Sequence, residues 1–216
     1  MPRPPKPSPD APHPVSQQRS RETLDRLLTA AEDALREEGP DGATLRGIAE
    51  RAGVSVGIVY RRFPDKDTIL RAVYIRFFER TTTLNAANLA SSHLAQISVQ
   101  TLARRLIEGM VAGYRANRSL LRSLILYART HDDADFKRRA AALNAAALDG
   151  IVALFAARAS EIHHPNPAAA IRFGLRAVAS TLQDNLLFDT PGVDQVDRDA
   201  LVPEATRLFL RYLGVD

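Results

Sequence analysis

Apolar residues recur along most of the chain at three- and four-residue intervals, and no convincing stretch alternates with period two, so the pattern predicts an all-α fold. Leu24, Leu27, Leu28, Ala31, Ala34 and Leu35 form one amphipathic stripe, with Ser20 as a cap and Gly39-Pro40-Asp41-Gly42 as its end. Leu45, Ile48, Ala49 and Ala52 give a short second helix one buried face, starting at Thr44. Gly53 then stands where the chain needs a left-handed residue, because glycine has no Cβ to clash there. Ser55 can cap a third short helix, with Val59 and Phe63 inside. Two short helices joined by a tight glycine turn make a helix-turn-helix, whose second helix can enter the DNA major groove.

Phe63-Pro64-Asp65 is the next break, and Asp65 can cap a fourth helix with Asp67 in its first turn. Ile69, Leu70, Val73, Phe77 and Leu84 carry that helix as far as Leu89, before a loop around Ser91 to Ser98. Further helices are predicted at Ser98 to Ala116, Leu120 to Arg129, Asp133 to about Glu161, Ala168 to Phe188 and Asp199 to Leu213. His163-His164-Pro165-Asn166-Pro167 and Thr190-Pro191-Gly192 separate the last of them. The domain division that follows is a tail over 1–19, a helix-turn-helix unit over 20–66 and a helical ligand-binding and dimerisation domain over 67–216.

Composition changes this picture in a few places. Residues 1–19 hold seven prolines and almost no large apolar side chain, which predicts disorder; the segment is either inert or a basic arm with Arg3, Lys6 and Arg19. The 216 residues contain no cysteine, so disulfides, thiolate zinc sites and a cysteine nucleophile are excluded. A formal charge of +4 is a mild pointer to an anionic partner. No stretch reads as a membrane span or a secretory signal, so a cytoplasmic protein is expected. Charge is concentrated in the helix-turn-helix, where Arg46, Arg51, Arg61, Arg62 and Lys66 stand against Glu50 and Asp65.

Nothing suggests catalysis. His163 and His164 are adjacent in a loop rather than at the i, i+4 spacing of a helical metal pair, and His131-Asp132-Asp133 reads as a polar loop with a helix cap. There is no phosphate-cradling glycine loop, no nucleophile elbow and no carboxylate pair, so neither an enzyme nor a cofactor is expected. A small-molecule pocket between helices is the alternative use of the C-terminal half. Phe77, Phe78, Met110, Tyr114, Leu124, Tyr127, Asn144 and Leu148 either line it, which would suit an apolar or aromatic ligand, or simply fill the core. The last two helices carry Ile171, Leu175, Val178, Leu182, Leu201, Leu208 and Tyr212, enough apolar surface for a homodimer through a four-helix bundle; the alternative is that these faces close the chain's own core.

Ile48-Ala49, Ala52-Gly53-Val54-Ser55, Gly57, Tyr60, Phe63, Lys66 and Leu70 resemble the N-terminal signature of TetR/AcrR-type transcriptional regulators. The resemblance covers about Leu24 to Tyr74 and implies a homodimeric regulator, usually a repressor, with a ligand pocket in the C-terminal helices. It gives Thr44, Tyr60 and Lys66 phosphate contacts, and Ser55 the start of the recognition helix. Arg46, Val56, Gly57, Arg61 and Arg62 would face the bases, where arginine can read guanine. Ile58 departs from the family's usual threonine. With Val56 it either meets a thymine methyl or completes the small core. The contrasting reading is a ligand- or protein-binding module whose helix-turn-helix no longer reads DNA.

Overall fold

The structure is a computed structural model that describes residues 14–89, 97–188, 197 and 199–215. Nine α-helices and one short 3₁₀ turn make up its regular structure, with no strand among the described residues. The expected all-α class is therefore what is observed. The helices are α1 (Pro14–Gly42), α2 (Leu45–Arg51), α3 (Val56–Arg62), α4 (Lys66–Leu89) and α5 (Val99–Ala116). They continue as α6 (Arg118–Thr130), α7 (Ala134–Ala156), α8 (Pro167–Leu187) and α9 (Leu201–Leu213).

Helix ends follow the local chemistry. Asp65 Oδ1 accepts from the Thr68 amide at 2.7 Å and caps α4; Ser98 and Asp133 cap α5 and α7 through Thr101 and Phe136. Three ends differ from expectation. Helix α1 begins at Pro14 rather than Ser20, with proline at a helix start where its missing N–H costs nothing. It leaves helical geometry at Gly39 (φ 72°), and a last turn runs on to Gly42. Helix α7 stops at Ala156, and the predicted extension to Glu161 is a separate 3₁₀ turn. The expectations for the proline-rich tail, most of the loop after Leu89 and Thr190-Pro191-Gly192 fall outside the described residues.

Two apolar cores stand side by side. The first joins Leu27, Ala31 and Leu35 of α1 to Ile48, Val59 and Phe63, and continues into Val73, Leu120, Leu124 and Phe136. It does not stop at residue 66: α1 packs along α6 as well as on α2 and α4. The second joins Val99, Ile107, Phe155, Ile171, Leu182, Phe209 and Leu213. There Gly174 lets α9 approach α8 closely, because a Cβ at that position would lie 2.7 Å from the Phe209 ring.

By length and composition, α7 is apolar enough to cross a membrane, which corrects the expectation that no stretch is. The helix lies along α4 and α8, with Phe136, Ala140, Val152 and Phe155 buried.

Candidate nucleic-acid interface

The helix-turn-helix is assembled as its residues dictate. Thr44 is the N-cap of α2, its hydroxyl accepting from the Gly47 amide at 3.1 Å. Gly53 has φ 62°, the left-handed turn between α2 and α3 that a Cβ would strain. Val59 is fully buried and Phe63 nearly so, which seats α3 on α1 and α2 through the first core. One edge is left outward. Arg46 on α2 and Ser55, Val56, Gly57, Tyr60 and Arg61 at and along α3 are all exposed, Tyr60 at 52%. Ser55 occupies the N-cap of α3 with extended backbone, but its hydroxyl makes no capping bond, contrary to expectation.

The remaining basic residues of the unit serve the protein itself. Arg51 pairs with Glu37 at 2.8 Å and with Glu38 on α1, which raises its pKa through those hydrogen bonds. Arg62 donates to the Ser20 hydroxyl at 2.6 Å and to its carbonyl at 3.1 Å, tying the end of α3 to the start of α1. The Lys66 ammonium donates to the Pro40 carbonyl. The expectation that Arg62 faces the bases is thus corrected: its fork is held 42 residues back along the chain. For Ile58, one of the two readings left open is what is observed. It lies partly buried against the first core, beside Val59, so Val56 alone presents an apolar group outward.

Behind this edge is a polar junction that the sequence did not disclose. Arg71 on α4 donates to Asp133 Oδ2 at 2.7 Å and lies 3.3 Å from His131 Nε2. Guanidinium can only donate, so His131 accepts at Nε2 and carries its neutral-state proton on Nδ1, 3.8 Å from Asp67. The Tyr127 hydroxyl donates to the Asp67 carbonyl at 3.2 Å, and its ring stacks on His131 at 4.6 Å. The start of α4, the end of α6 and the cap of α7 are thereby fastened together. A second tie lies along α1 and α4, where the buried Glu32 accepts from Arg80 at 2.9 Å and lies 3.8 Å from Arg76.

The expected pocket residues are divided by the structure. Leu124 is fully buried in the first core, Phe77 lies in the same core, and Tyr127 is the strut just described, so these are packing residues rather than lining. Phe78 is half-buried against the first core and Met110 and Leu148 against the second, and Tyr114, half-buried against both, marks the seam between the cores. Asn144 is exposed and donates to the Tyr74 hydroxyl at 3.4 Å. The expected dimer face divides as well. Ile171, Leu175, Val178, Leu182 and Leu201 are at most 5% exposed and close the chain's own second core, because the periodic stripe of α8 is its inward stripe. Leu208 and Tyr212 remain outward, joined by Phe173, whose ring centroid is 5.4 Å from that of Tyr212. His163 and His164 donate their amides to the Leu213 carbonyl, both at 3.1 Å, and so dock their loop on the end of α9.

A reading helix set on a three-helix head, joined to a longer helical body, defines a helix-turn-helix regulator. Residues 27–73 match the model of bacterial regulatory proteins of the tetR family. The chain is 31% identical over 134 residues to an HTH-type transcriptional repressor of Mycobacterium tuberculosis, an alignment that covers 60% of this chain and 71% of that protein. The fold is also that of a Bacillus subtilis regulator, FadR, solved with stearoyl-CoA (TM-score 0.64, 14% identity, 88% of this chain and 98% of that one). It resembles as well a multidrug-binding protein, EbrR, solved with ethidium (TM-score 0.61, 20% identity, 89% and 99% covered). The chain belongs to the TetR family of transcriptional regulators, and it is not an enzyme.

Proposed function

We propose that this regulator is a homodimeric repressor that binds a pseudo-palindromic operator and releases it on binding a small apolar or aromatic effector. Residues 20–66 form the reading head and 67–216 the effector and dimerisation body. One observation carries the DNA-binding part. Arg46 on α2 and Arg61 on α3 are exposed, as are Val56, Gly57 and Tyr60 of α3, and no protein group among the described residues holds either guanidinium. Free arginines on a helix of this kind suit guanine edges; the Tyr60 hydroxyl, the Ser55 hydroxyl, the start of α2 at Thr44 and the remaining N–H donors of Lys66 suit phosphates. Val56 is left as the apolar contact for a thymine methyl.

Dimerisation through Phe173, Leu208 and Tyr212 is supported by their exposure on adjacent helices, and a dimer would place two reading heads on two half-sites. The effector reading is supported by the half-buried seam and by relatives of the same fold solved with stearoyl-CoA and with ethidium. The Arg71 junction couples the two ends, since any effector that shifts α6 or α7 moves the start of α4; release requires only that the effector favour the shifted geometry. A DNA target is in keeping with a cytoplasmic protein.

Selection of bound duplexes from a random pool tests the reading. The expected product is a two-fold-related pair of half-sites, enrichment of which is lost in the Arg46→Ala/Arg61→Ala variant. Enrichment that survives this variant, or no enrichment with the native chain, contradicts it; the latter would favour a module that no longer reads DNA. Light scattering should give a dimer that Leu208→Asp/Tyr212→Asp reduces to a monomer.

A further inference from the structure

Tyr114 occupies a singular place: among the described residues it alone packs against both apolar cores. It projects from α5, which packs on α8 and α9, whereas α7 packs on α4 and α8, so α5 and α7 are joined largely through α8. Leu106 and Met110 of α5 and Leu148 and Ile151 of α7 are half-buried along the seam that results. None of these side chains carries a charge.

A chain of hydrogen bonds leads from the surface to this tyrosine. Arg129 Nη2 lies 3.2 Å from Gln183 Oε1, and Gln183 Nε2 lies 3.3 Å from the Tyr114 oxygen. Arginine has donors and no acceptor, so Arg129 fixes which end of the Gln183 amide faces outward. The amide N–H₂ therefore faces Tyr114, and the phenol oxygen is the acceptor. Its own O–H is left to donate, and no acceptor among the described residues receives it. Tyr127 shows the contrast, because its O–H is committed to the Asp67 carbonyl. Burial pushes the Tyr114 pKa up, which keeps the phenol protonated and a donor. The hydroxyl of a half-buried tyrosine that has no protein acceptor is free to donate to a ligand acceptor that takes the place of water.

We infer that the effector is a neutral apolar molecule bearing a hydrogen-bond acceptor, such as a ketone, ester or amide carbonyl, which accepts from the Tyr114 hydroxyl. This rests on the effector-binding reading above and narrows it. A carboxylate would enter the seam with no cation among the side chains named there, and an ammonium with no anion; each would carry an uncompensated charge out of water. Gln183 and Arg129 are positioning residues, acting through the phenol rather than on the ligand.

The test uses the full-length protein and the fluorescent probe N-phenyl-1-naphthylamine, displaced by 2-decanone, decanoate or decyltrimethylammonium. 2-Decanone should displace it at the lowest concentration. Tyr114→Phe should weaken 2-decanone about tenfold, the scale of one hydrogen bond, and leave affinity for the probe unchanged. Gln183→Glu should reproduce that loss, since a carboxylate would accept the phenol's hydrogen bond in the ligand's place, and Arg129→Ala should do so in part by freeing the amide to turn. Thermal unfolding confirms that each variant is folded. Probe binding with a ketone affinity indifferent to Tyr114, or with decanoate preferred, overturns this inference and leaves the effector reading intact. Failure of the native protein to bind the probe and all three chains overturns both.

Discussion

The two cores are held together by different physics. At the reading end, helices are joined by directional charged bonds: Arg62 to Ser20, Arg51 to Glu37 and Glu38, Arg80 to Glu32, and Arg71 to Asp133. At the other end α9 meets α7 and α8 through apolar contacts, with Phe155 edge-on to Phe209 at 5.4 Å and Gly174 beneath the same ring, while the polar bonds there, Arg158 to the Ile97 carbonyl and Glu161 to the Val99 amide, tie loops and helix ends. In the proposed dimer the head would have to stand at a set angle to its partner's head, and hydrogen bonds fix angles. The body needs a stable scaffold with a yielding seam, and apolar packing tolerates small sliding better than a bidentate pair does.

The largest effect should come from the apolar end. Phe209→Ala removes a fully buried ring and should cost about 3–5 kcal/mol in urea unfolding. Gly174→Val should also destabilise, by driving α8 and α9 apart, and should weaken the dimer. At the charged end, Arg80→Ala deprives the buried Glu32 Oε2 of its donor. The cost should be about 1–3 kcal/mol, below that of a fully buried pair because the Arg80 side chain is 46% exposed. If Arg80→Ala cost more than Phe209→Ala, the contrast between the two ends would be wrong.

Arg62→Ala sharpens the same contrast. It should weaken binding to all sequences alike, by loosening α3 from α1, instead of relaxing preference at one base pair. A footprint that changes at particular positions would return Arg62 to the bases. The smallest effect should be in acid. Hydrogen bonds from Thr68 and Phe136 hold the Asp65 and Asp133 carboxyls below their ordinary values. The stabilisation they give is present above the ordinary carboxylate range and is lost as pH falls below about 4. Asp65→Asn/Asp133→Asn should therefore flatten the fall in melting temperature between about pH 5 and 3.

Local chemistry made much of the fold legible. Gly53, Thr44, Asp65, Ser98 and Asp133 punctuate the helices where their side chains predict, because capping is decided within four residues. The reading helix was legible for the same reason, through Val59 and Phe63. What the chain did not disclose is long-range. That Arg62 would find Ser20, that Ile58 would turn into the core, and that Arg71 would meet Asp133 all depend on how helices far apart in sequence come together. The residues of the last two helices divided between core and surface for a related reason. Periodicity locates the apolar stripe of α8, but the most regular stripe is the one that buries itself, and the outward residues Phe173 and Tyr212 sit off it.

The central claim is that the basic residues of the head divide into two that meet DNA freely, Arg46 and Arg61, and others that fasten the protein. The direct measurement is the salt dependence of duplex-DNA affinity for Arg46→Ala/Arg61→Ala beside Arg51→Ala. A cation set into the groove also displaces counterions, so the slope of log affinity against log salt should fall for the first pair, with sequence preference lost, and should stay unchanged for Arg51→Ala. Equal losses in both variants, or a change only in Arg51→Ala, would contradict it.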